Sequence, residues 1–579
     1  MRLRSGLVVL GALVLLLAGR LVQLQGLQPV ALAARSGVEQ VRPLVIPAVR
    51  GAVLDRDGNP LAVSVLAKNV YAEPRTIAKG TCLKGSRIPC DPRTIAAALG
   101  PVLHLAPAAV ETKLRQDKGF VYLARGLDPA LAQRVMDLDL PGIGTESTTK
   151  RVHPSHDLAA GVLGFTDYEG LGKAGIELAM QQVLNGRNGR TVARFDAAGR
   201  IIPTGSETYV APVPGDDVSL TIDRDLQWYA QNLIVQQVAA TQAINGTVVV
   251  MDVKTGEVLA LATAPTFDPD NRRSNQLMGN PAISDVYEPG SVNKVITAAA
   301  ALQDRIVTPQ TVIEVPPTYK VANKVLHDAE KHGTEHLTFA GVLAKSSNIG
   351  TVKVAQQVGP QRLYDMMRAF GFGSRSGLGL PGESAGVIRK PADWSGTSIA
   401  NIPIGQGISV NAMQVASVYA TIANGGVRVQ PSIVKSWRDS AGHVTLAHAP
   451  VTRRVIAPDI ALQIRSMLEA VVGEQGTAPK AAIPGYRVAG KTGTAQRVAT
   501  SGPRAGHYDG TYTSSFVGMA PADAPRFVTA VVLQGTGKAG YFGGQVAAPL
   551  FSQIMGFALR SYDVTPTGTK PPVIRLSVP

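Results

Sequence analysis

The first pattern along the chain is an apolar run close to its beginning. Residues 6–19 are fourteen positions without a polar side chain, and Arg2 and Arg4 precede them. A membrane-spanning helix needs about 20 residues, a length that the run reaches if it continues over residues 6–27. The pattern predicts a transmembrane anchor over that range with a cytoplasmic N-terminus, because the arginines lead it. A cleaved signal peptide is the alternative, since Ala31-Leu32-Ala33 resembles a small-residue cleavage site.

Further apolar runs, separated by turn residues, predict helices and strands in the rest of the chain. Residues 251–260 hold two apolar runs around Lys254-Thr255-Gly256, which is typical of a β-hairpin. The alanine-rich run Val295–Leu302 follows Glu288-Pro289-Gly290 and predicts a helix that begins at Ser291.

The region before residue 212 mixes short elements of both kinds. Residues 50–62 predict a short strand, an Asp-x-Gly turn and a returning strand. Residues 94–99 and 130–137 are helical patches between loops.

Composition limits the class of protein more than it defines it. The 579 residues are 45% hydrophobic, and 60 glycines and 39 prolines are spread along the chain without a repeat. This length and content predict two or three domains with sizeable cores. The net charge of +15 suits acidic surroundings such as a bacterial envelope, or ordinary solubility. Basic residues do not cluster with aromatic ones, so we expect no nucleic-acid binding.

Ser291 and Lys294 are the most informative pair of residues. They are three positions apart on the predicted helix, so they share one face. Ser291 also falls at the positive end of the helix dipole, which favours an alkoxide-like nucleophile. A serine paired with a basic amine is one way to build an acylating enzyme.

Two later motifs give this weak pattern its weight. Ser346-Ser347-Asn348 follows Ser291 by 55 residues, and Lys491-Thr492-Gly493-Thr494 follows it by 200. Ser-x-x-Lys, a Ser-x-Asn type motif and Lys-Thr-Gly are the set that penicillin-binding proteins and class A β-lactamases share. Each motif also has a decoy that lacks the order or the setting, and these decoys are Ser147/Lys150, Ser432/Lys435, Lys254-Thr255-Gly256 and Ser409-Val410-Asn411.

Nearly the whole chain resembles a class B penicillin-binding protein, most closely the septal, division-specific peptidoglycan D,D-transpeptidases of the FtsI type. The septal branch is favoured over the elongation-specific one by residues 287–302 and 344–351 and by the lack of a long pedestal insertion. The segments that carry the resemblance are residues 50–62, 151–186, 220–227, 265–269, 287–291, 344–348, 405–407 and 541–544.

The resemblance implies an α+β fold. The expected transpeptidase domain has a five-stranded antiparallel sheet with helices on both faces and stands on a mixed, elongated pedestal. The expected division is a cytoplasmic tail over residues 1–5, the anchor over 6–27, the dimerisation (pedestal) domain over 28–211, the transpeptidase domain over 212–562 and a C-terminal tail over 563–579. The pedestal is too short for a glycosyltransferase domain, so we expect no second enzyme.

The resemblance also implies partners and a location. The expected ligands are peptidoglycan stem peptides and β-lactams. The expected protein partners are an FtsW-like glycan polymerase and other membrane proteins of the division machinery. We expect a single-pass protein of the cell membrane, with the catalytic domain outside the cytoplasm at the division septum.

The expected chemistry is acyl transfer from a D-Ala-D-Ala peptide. Ser291 is the expected nucleophile, and Lys294 is its base if burial and the neighbouring cation Lys491 lower its pKa from roughly 10.4. Ser346 is expected to pass the proton to the leaving amine, and Asn348 to orient Lys294 and the substrate amide.

Residues 491–494 are expected to form a strand along which the substrate peptide lies. Gly493 would leave room for that peptide. Thr492 and Thr494 would supply hydroxyl groups, and Lys491 a charge, to the terminal carboxylate. By resemblance, the backbone amides of Ser291 and Thr494 would form the oxyanion hole.

Cysteines and histidines add little chemistry. Cys82 and Cys90 lie in one loop-like stretch, and in an oxidising compartment they predict a small local disulfide, with two free thiols as the alternative. The spacing of His327, His332 and His336 is not that of a common zinc site, so a solvated loop without a metal is expected. No cofactor is predicted.

Two other functions remain open besides septal cross-linking. The same three motifs suit an elongation-specific transpeptidase. They also suit a penicillin-binding receptor or scaffold that acylates with little turnover. A β-lactamase is less compatible, because no deacylating glutamate is evident and such enzymes are usually one soluble domain.

Overall fold

The chain folds into two compact units. The first contains residues 1–50, 64–150 and 185–215, and the second contains residues 51–63, 151–184 and 216–579. The computed structural model describes residues 2–23, 41–78, 91–194, 209–272, 278–447, 449–499, 503, 505–537 and 539–579. The predicted Cys82–Cys90 disulfide lies outside these residues.

The first unit has a small core between helices and strands. Its two helices Pro92–Leu103 and Pro129–Met136 begin in the same way, with an aspartate cap (Asp91 or Asp128) followed by proline at the first helical position. Ile95 and Leu99 lie one turn apart on the first of these helices and are fully buried. Both helical patches predicted from the sequence are therefore confirmed.

The remaining elements of the first unit are short. Its other helices are Arg2–Val22, Pro74–Ala78 and Pro107–Leu114. Its strands are Val41–Ile46, the later part of Pro60–Ala72, Val121–Leu127, Ile143–Val152, Gly189–Arg194 and Tyr209–Val210.

The N-terminal helix Arg2–Val22 coincides with the predicted apolar run. Among the residues that the structure describes, no helix combines the length and the apolar character required for a membrane crossing.

The second unit is built on a five-stranded antiparallel sheet, as predicted. The strands lie in the order Val258–Ala264, Asn245–Asp252, Phe527–Thr536, Tyr508–Ala520 and Ala489–Val498. The first two strands form the predicted hairpin around Lys254-Thr255-Gly256. The last strand carries Lys491-Thr492-Gly493 and is an edge of the sheet.

Helices cover both faces of this sheet. Ser515 and Phe516 are neighbours on one strand, so their side chains point to opposite faces. The Phe516 ring packs against Phe551 of the helix Ala548–Ser561. On the other face, a Cβ added at Gly493 would lie 2.4 Å from Ser515 Oγ and 3.1 Å from Val292 Cγ1. The sheet therefore separates the C-terminal helix from the segment that contains Ser291.

The other elements of the second unit surround the sheet. Its α-helices are Ala160–Leu163, Gly175–Ala179, Gln181–Leu184, Arg224–Thr241, Pro281–Ser284, Lys294–Gln303, Phe339–Ala344, Asn348–Val358, Pro360–Phe370, Ser398–Asn401, Ala412–Ala423, Pro458–Val472 and Gly543–Val546. Its other strands are Val53–Leu54, Asp217–Leu220, Val312–Val315, Tyr319–Val321, Lys324–Leu326, Glu335–Thr338, Val427–Val429, Val434–Arg438, Val444–Leu446, Thr452–Arg454 and Ser577–Val578.

The predicted strand, turn and return near residue 50 are also present. Val53–Leu54 pairs antiparallel with the beginning of Pro60–Ala72. In the turn between them, Asp55 Oδ1 accepts hydrogen bonds from the backbone N–H groups of Asp57 and Asn59. This aspartate therefore satisfies the turn with its own side chain.

The C-terminal residues pack against earlier segments of the second unit. Tyr486 donates a hydrogen bond to the carbonyl of Val564 at 2.6 Å. Further on, Ser577–Val578 pairs with the strand Glu335–Thr338. The backbone of Leu576 accepts a hydrogen bond from the Thr338 N–H at 3.0 Å. This segment therefore adds a strand beside the helix that leads to Ser346.

Candidate active site

Ser291 lies in a 3₁₀ turn, Gly290–Asn293, that continues directly into the helix Lys294–Gln303. The predicted helix start is therefore confirmed, with a tighter first turn than expected. The helix is buried along its whole length up to Leu302. Ser291 is thus presented at the N-terminal end of a rigid, enclosed element.

Two contacts fix the backbone around Ser291. Gly290 has a φ of +60°, which glycine adopts without strain, and its N–H donates to the Gly405 carbonyl at 3.0 Å. The hydroxyl of the fully buried Tyr419 donates to the Val292 carbonyl at 3.0 Å. The turn is held from both sides.

Lys294 is completely buried, and its Nζ is held by three acceptors. It donates to the Ser346 carbonyl at 2.5 Å, to Asn348 Oδ1 at 2.8 Å and to Ser346 Oγ at 3.3 Å. Burial lowers the pKa of Lys294 to about 7, and the negative charge of Asp328 opposes part of that change. A substantial fraction of Lys294 is therefore neutral near pH 7.

Lys491 approaches the same hydroxyl from the sheet. It is fully buried, and its Nζ donates to Ser346 Oγ at 2.8 Å. Burial, and then the charge of Lys294, lower the pKa of Lys491 well below its ordinary value. Burial, one of the two causes that we expected, is the main cause of the lowered pKa of Lys294, and repulsion between the two amines adds to the effect of burial on Lys491.

Ser346 connects the two lysines at the cost of backbone strain. Its φ is +60°, a left-handed conformation that costs a non-glycine residue about 1–2 kcal/mol. Such strain often occurs at functional positions, where the surrounding structure holds it. Here it places one hydroxyl between two buried amines.

Asn348 begins the helix Asn348–Val358 and points its amide at Lys294. The amide Nδ2 donates to the His327 carbonyl at 3.0 Å. Because the nitrogen is held there, Oδ1 faces the lysine, as expected of a residue that orients Lys294.

Ser291 itself is less engaged than we expected. Its hydroxyl forms no hydrogen bond with any described residue, so Lys294 and Ser291 share a helix turn without being hydrogen-bonded to each other. Catalytic hydrogen bonds are often loose in ligand-free enzymes and tighten with substrate.

Gly493 faces the backbone turn that contains Ser291. A Cβ at Gly493 would lie 3.0 Å from the Pro289 carbonyl oxygen as well as against Ser515 and Val292. The absence of a side chain therefore lets the turn before Ser291 pack on the edge strand, a role that the sequence did not indicate.

The two threonines of this strand have protein partners. The hydroxyls of Thr492 and Thr477 are 2.8 Å apart, and Thr494 Oγ1 accepts from the Gly543 N–H at 3.1 Å. A Cβ at Gly290 would lie 3.5 Å from the Thr494 carbonyl group, so the backbones before Ser291 and at Thr494 are adjacent.

Two carboxylates near the site were not predicted as site residues from the sequence. Asp328 accepts hydrogen bonds from the backbone N–H groups of Asn348 and Ile349. Glu288 accepts from the Gly407 N–H at 2.7 Å and from the Tyr508 hydroxyl at 3.1 Å, and burial raises its pKa. The only signal was their place in the chain, beside the histidines and beside Ser291.

The decoy motifs occupy structural positions. Ser147 accepts a hydrogen bond from Lys68, and Lys435 donates to the Arg56 carbonyl. Asn411 caps the helix Ala412–Ala423 in a capping box with Gln414.

The histidine stretch is only partly the solvated loop that we expected. The side chains of His332 and Asp328 are 14% and 11% exposed, and His332 Nε2 lies 3.3 Å from Asp328 Oδ2. Within the part of the chain that the structure describes, no three histidine, cysteine or acidic side chains form a group that could hold a metal ion.

Known proteins match this architecture over nearly the whole chain. The family model described as penicillin-binding protein transpeptidase domain matches residues 246–556, and the model described as penicillin-binding protein dimerisation domain matches residues 45–220. The chain belongs to the class B penicillin-binding proteins, as its resemblance predicted.

Individual relatives agree with this assignment. Penicillin-binding protein PbpB of Mycolicibacterium smegmatis is 38% identical over 590 residues, which cover 97% of this chain and 90% of the relative. Peptidoglycan D,D-transpeptidase FtsI of Escherichia coli K12 is 35% identical, covering 95% of this chain and 90% of the relative. A crystal structure of penicillin-binding protein 3 from Mycobacterium tuberculosis, complexed with ampicillin, superposes with a TM-score of 0.72 at 34% identity, covering 93% of this chain and all of that one.

Proposed function

We propose that this protein is a serine-type peptidoglycan D,D-transpeptidase that cross-links stem peptides. The observation that carries the proposal is the row of buried groups in which Ser346 Oγ lies between Lys294 Nζ and Lys491 Nζ, with Asn348 on Lys294. Burying an ionisable group costs free energy, and buried ionisable groups with shifted pKa values cluster at functional sites, where acid–base chemistry uses them.

The acylation step uses Ser291 as nucleophile. Neutral Lys294 takes the Ser291 proton while Oγ bonds to the carbonyl carbon of the penultimate D-alanine. The C–N bond to the terminal D-alanine then breaks, and Ser346 Oγ gives its proton to the leaving amine while it regains one from protonated Lys294, which becomes neutral again. A pKa of about 7 suits Lys294 to this exchange near neutral pH.

The remaining predicted residues would bind the substrate. Lys491 supplies positive charge for the terminal carboxylate, and Thr492 and Thr494 supply hydroxyls if these exchange their present partners. The backbone amides of Ser291 and Thr494 would hold the carbonyl oxygen, and one such donor typically contributes about 3 kcal/mol to the transition state. Attack on the acyl ester by an amine of another strand forms the cross-link, whereas attack by water only trims the peptide.

The cellular role that we propose is septal. The names PbpB and FtsI belong to relatives that match almost the full chain, and one of them is named a peptidoglycan D,D-transpeptidase. An FtsW-like polymerase and other division proteins are the proposed partners. We also propose a pedestal domain over residues 28–211 and a transpeptidase domain over residues 212–562. Filamentation or branching on depletion supports division, whereas rounding supports the elongation-specific alternative.

Membrane anchoring over residues 6–27, a range that includes most of the N-terminal helix Arg2–Val22, belongs to the same proposal. Leu7, Leu15 and Leu16 on that helix are 63%, 74% and 73% exposed, as expected of side chains that face lipid. Alkaline carbonate should leave the protein in the membrane fraction; full release into the supernatant would contradict an anchor.

Covalent labelling by a fluorescent penicillin tests the chemistry. Wild-type protein should be labelled, and Ser291→Ala should lose the label, because only that hydroxyl forms the ester. Ser432→Ala is the matched control, since Ser432 begins a decoy Ser-x-x-Lys and should keep full labelling. Mass spectrometry that locates the adduct on any residue other than Ser291 would refute the assignment.

A further inference from the structure

The carboxylate of Asp328 holds the helix that carries Asn348. Its Oδ1 accepts from the Asn348 N–H at 2.5 Å and from the Ile349 N–H at 3.0 Å. These N–H groups belong to the first turn of the helix Asn348–Val358 and have no acceptor within it. Asp328 therefore holds the start of this helix at Asn348, although it lies 20 residues earlier in the chain.

His327, the residue before Asp328, holds the side-chain amide of Asn348. The His327 carbonyl accepts from Asn348 Nδ2 at 3.0 Å, while Asn348 Oδ1 accepts from Lys294 at 2.8 Å. One short segment thus controls both the backbone and the amide of Asn348. Through that amide it controls the direction of the Lys294 amine.

Asp328 is also the negative charge that acts on Lys294. The groups that face Lys294 are Ser346 and Asn348, together with Lys491 from the edge strand, which shares the Ser346 hydroxyl. The charge of Asp328 acts on Lys294 against the effect of burial. His332 is the charged or titratable group beside Asp328 itself, 3.3 Å from Oδ2.

We propose that Asp328 is a positioning residue for acylation, which orients Asn348 and supplies a negative charge that acts on the Lys294 amine. The inference rests on the proposed function, because acylation is the step that it modifies. Asp328 accepts its hydrogen bonds from the Asn348 and Ile349 N–H groups and none from Ser291 or Lys294, so its effect passes through Asn348 and through its charge.

Asp328→Asn separates the charge from the hydrogen bonds. The amide oxygen can still accept from the two N–H groups, but the negative charge is gone. Protonated Lys294 is then less favoured, so the acid limb of the pH profile for acylation by fluorescent penicillin should move to lower pH, by about one unit. Rates are measured on the full chain between pH 5 and pH 9. A profile identical to that of wild type would overturn the proposal, since a purely structural aspartate leaves the limb in place.

Asp328→Ala removes the hydrogen bonds as well. The two N–H groups lose their acceptor, so the acylation rate should fall about tenfold or more at pH 8 to 9, where Lys294 is neutral with or without the charge of Asp328. Glu330→Gln is the matched control, an exposed carboxylate two positions away in the same loop, and it should change neither rate nor profile. Thermal unfolding of each variant distinguishes a local effect from loss of the fold.

The results also separate this inference from the function on which it rests. Wild-type protein that is not labelled at all contradicts the proposed function. Labelled wild-type protein with an unaltered Asp328→Asn profile contradicts only the role of Asp328.

Discussion

The same three residues, Lys-Thr-Gly, occur twice in one sheet, once in a turn between two strands and once within a strand. Lys254-Thr255-Gly256 forms the turn between Asn245–Asp252 and Val258–Ala264, with Lys254 exposed and its Nζ 3.3 Å from Asn424 Oδ1. Lys491-Thr492-Gly493 lies inside the edge strand, with Lys491 fully buried beside Ser346.

The difference shows that burial and partners decide what a short motif does. An exposed amine is solvated and behaves as an ordinary surface cation. A buried amine must find acceptors and is easily deprotonated, which are the properties that a catalytic lysine needs. The motif provides the lysine, and its position in the sheet determines whether that lysine is buried and which groups it contacts.

Replacing each lysine with alanine should separate the two motifs most strongly. Lys491→Ala removes the charge and the hydrogen bond to Ser346, so acylation by fluorescent penicillin should fall by about 100-fold or more. Lys254→Ala serves as the control and should acylate at the wild-type rate. Equal rates for the two variants would show that the buried position gives Lys491 no special role.

Alanine at the two glycines should have different effects, on the acylation rate at Gly493 and on stability at Gly256. A Cβ at Gly493 would press on Ser515 Oγ and on the Pro289 carbonyl, which displaces the turn before Ser291. Gly493→Ala should therefore slow acylation about tenfold or more while the protein remains folded.

Gly256→Ala is the matched change at the decoy. Gly256 has a φ of +74°, and a Cβ there would lie 2.8 Å from the Gln430 carbonyl oxygen. Its free energy of unfolding should drop by about 2 kcal/mol, with acylation by the folded fraction unchanged. Denaturant unfolding and labelling rates are measured on the same samples. Impaired acylation in Gly256→Ala with normal acylation in Gly493→Ala would contradict this contrast.

Lowering the pH should change the acylation rate less than these substitutions do, and the change tests the pKa of Lys294. Burial lowers the pKa of Lys294 to about 7, so the neutral base is lost as the pH falls below 7. The acylation rate at pH 6 should be about fivefold below that at pH 7, from the fraction of neutral amine. A lysine of ordinary pKa, near roughly 10.4, would instead give a rate that rises tenfold per unit throughout this range.

Local sequence patterns predicted the elements and the order of the motifs. The Pro-Gly break placed the start of the Ser291 helix, and the apolar runs placed the hairpin around Lys254. These signals are local, because a turn or helix start depends on a few neighbouring residues. The five-stranded sheet followed from the resemblance to a known family and not from the strand patterns alone.

Long-range contacts could not be predicted in this way. Asp328 reaches Asn348 across 20 residues, and Gly493 packs beneath the Pro289 carbonyl. Neither contact leaves a periodic pattern, since each depends on how distant segments pack. For the same reason, the sequence named burial and Lys491 together as causes of a lowered pKa for Lys294, but it could not show that burial is the main one.

The sequence by itself determined which residues we propose as catalytic: a serine one turn before a lysine, followed in order by Ser346-x-Asn348 and Lys491-Thr-Gly. Only the tertiary structure decided that Lys294 and Lys491 are both buried around one hydroxyl, and that Asp328 and His327 hold Asn348. The physical reason is that side-chain identity is local, whereas desolvation and hydrogen-bond geometry depend on segments that meet only when the chain folds.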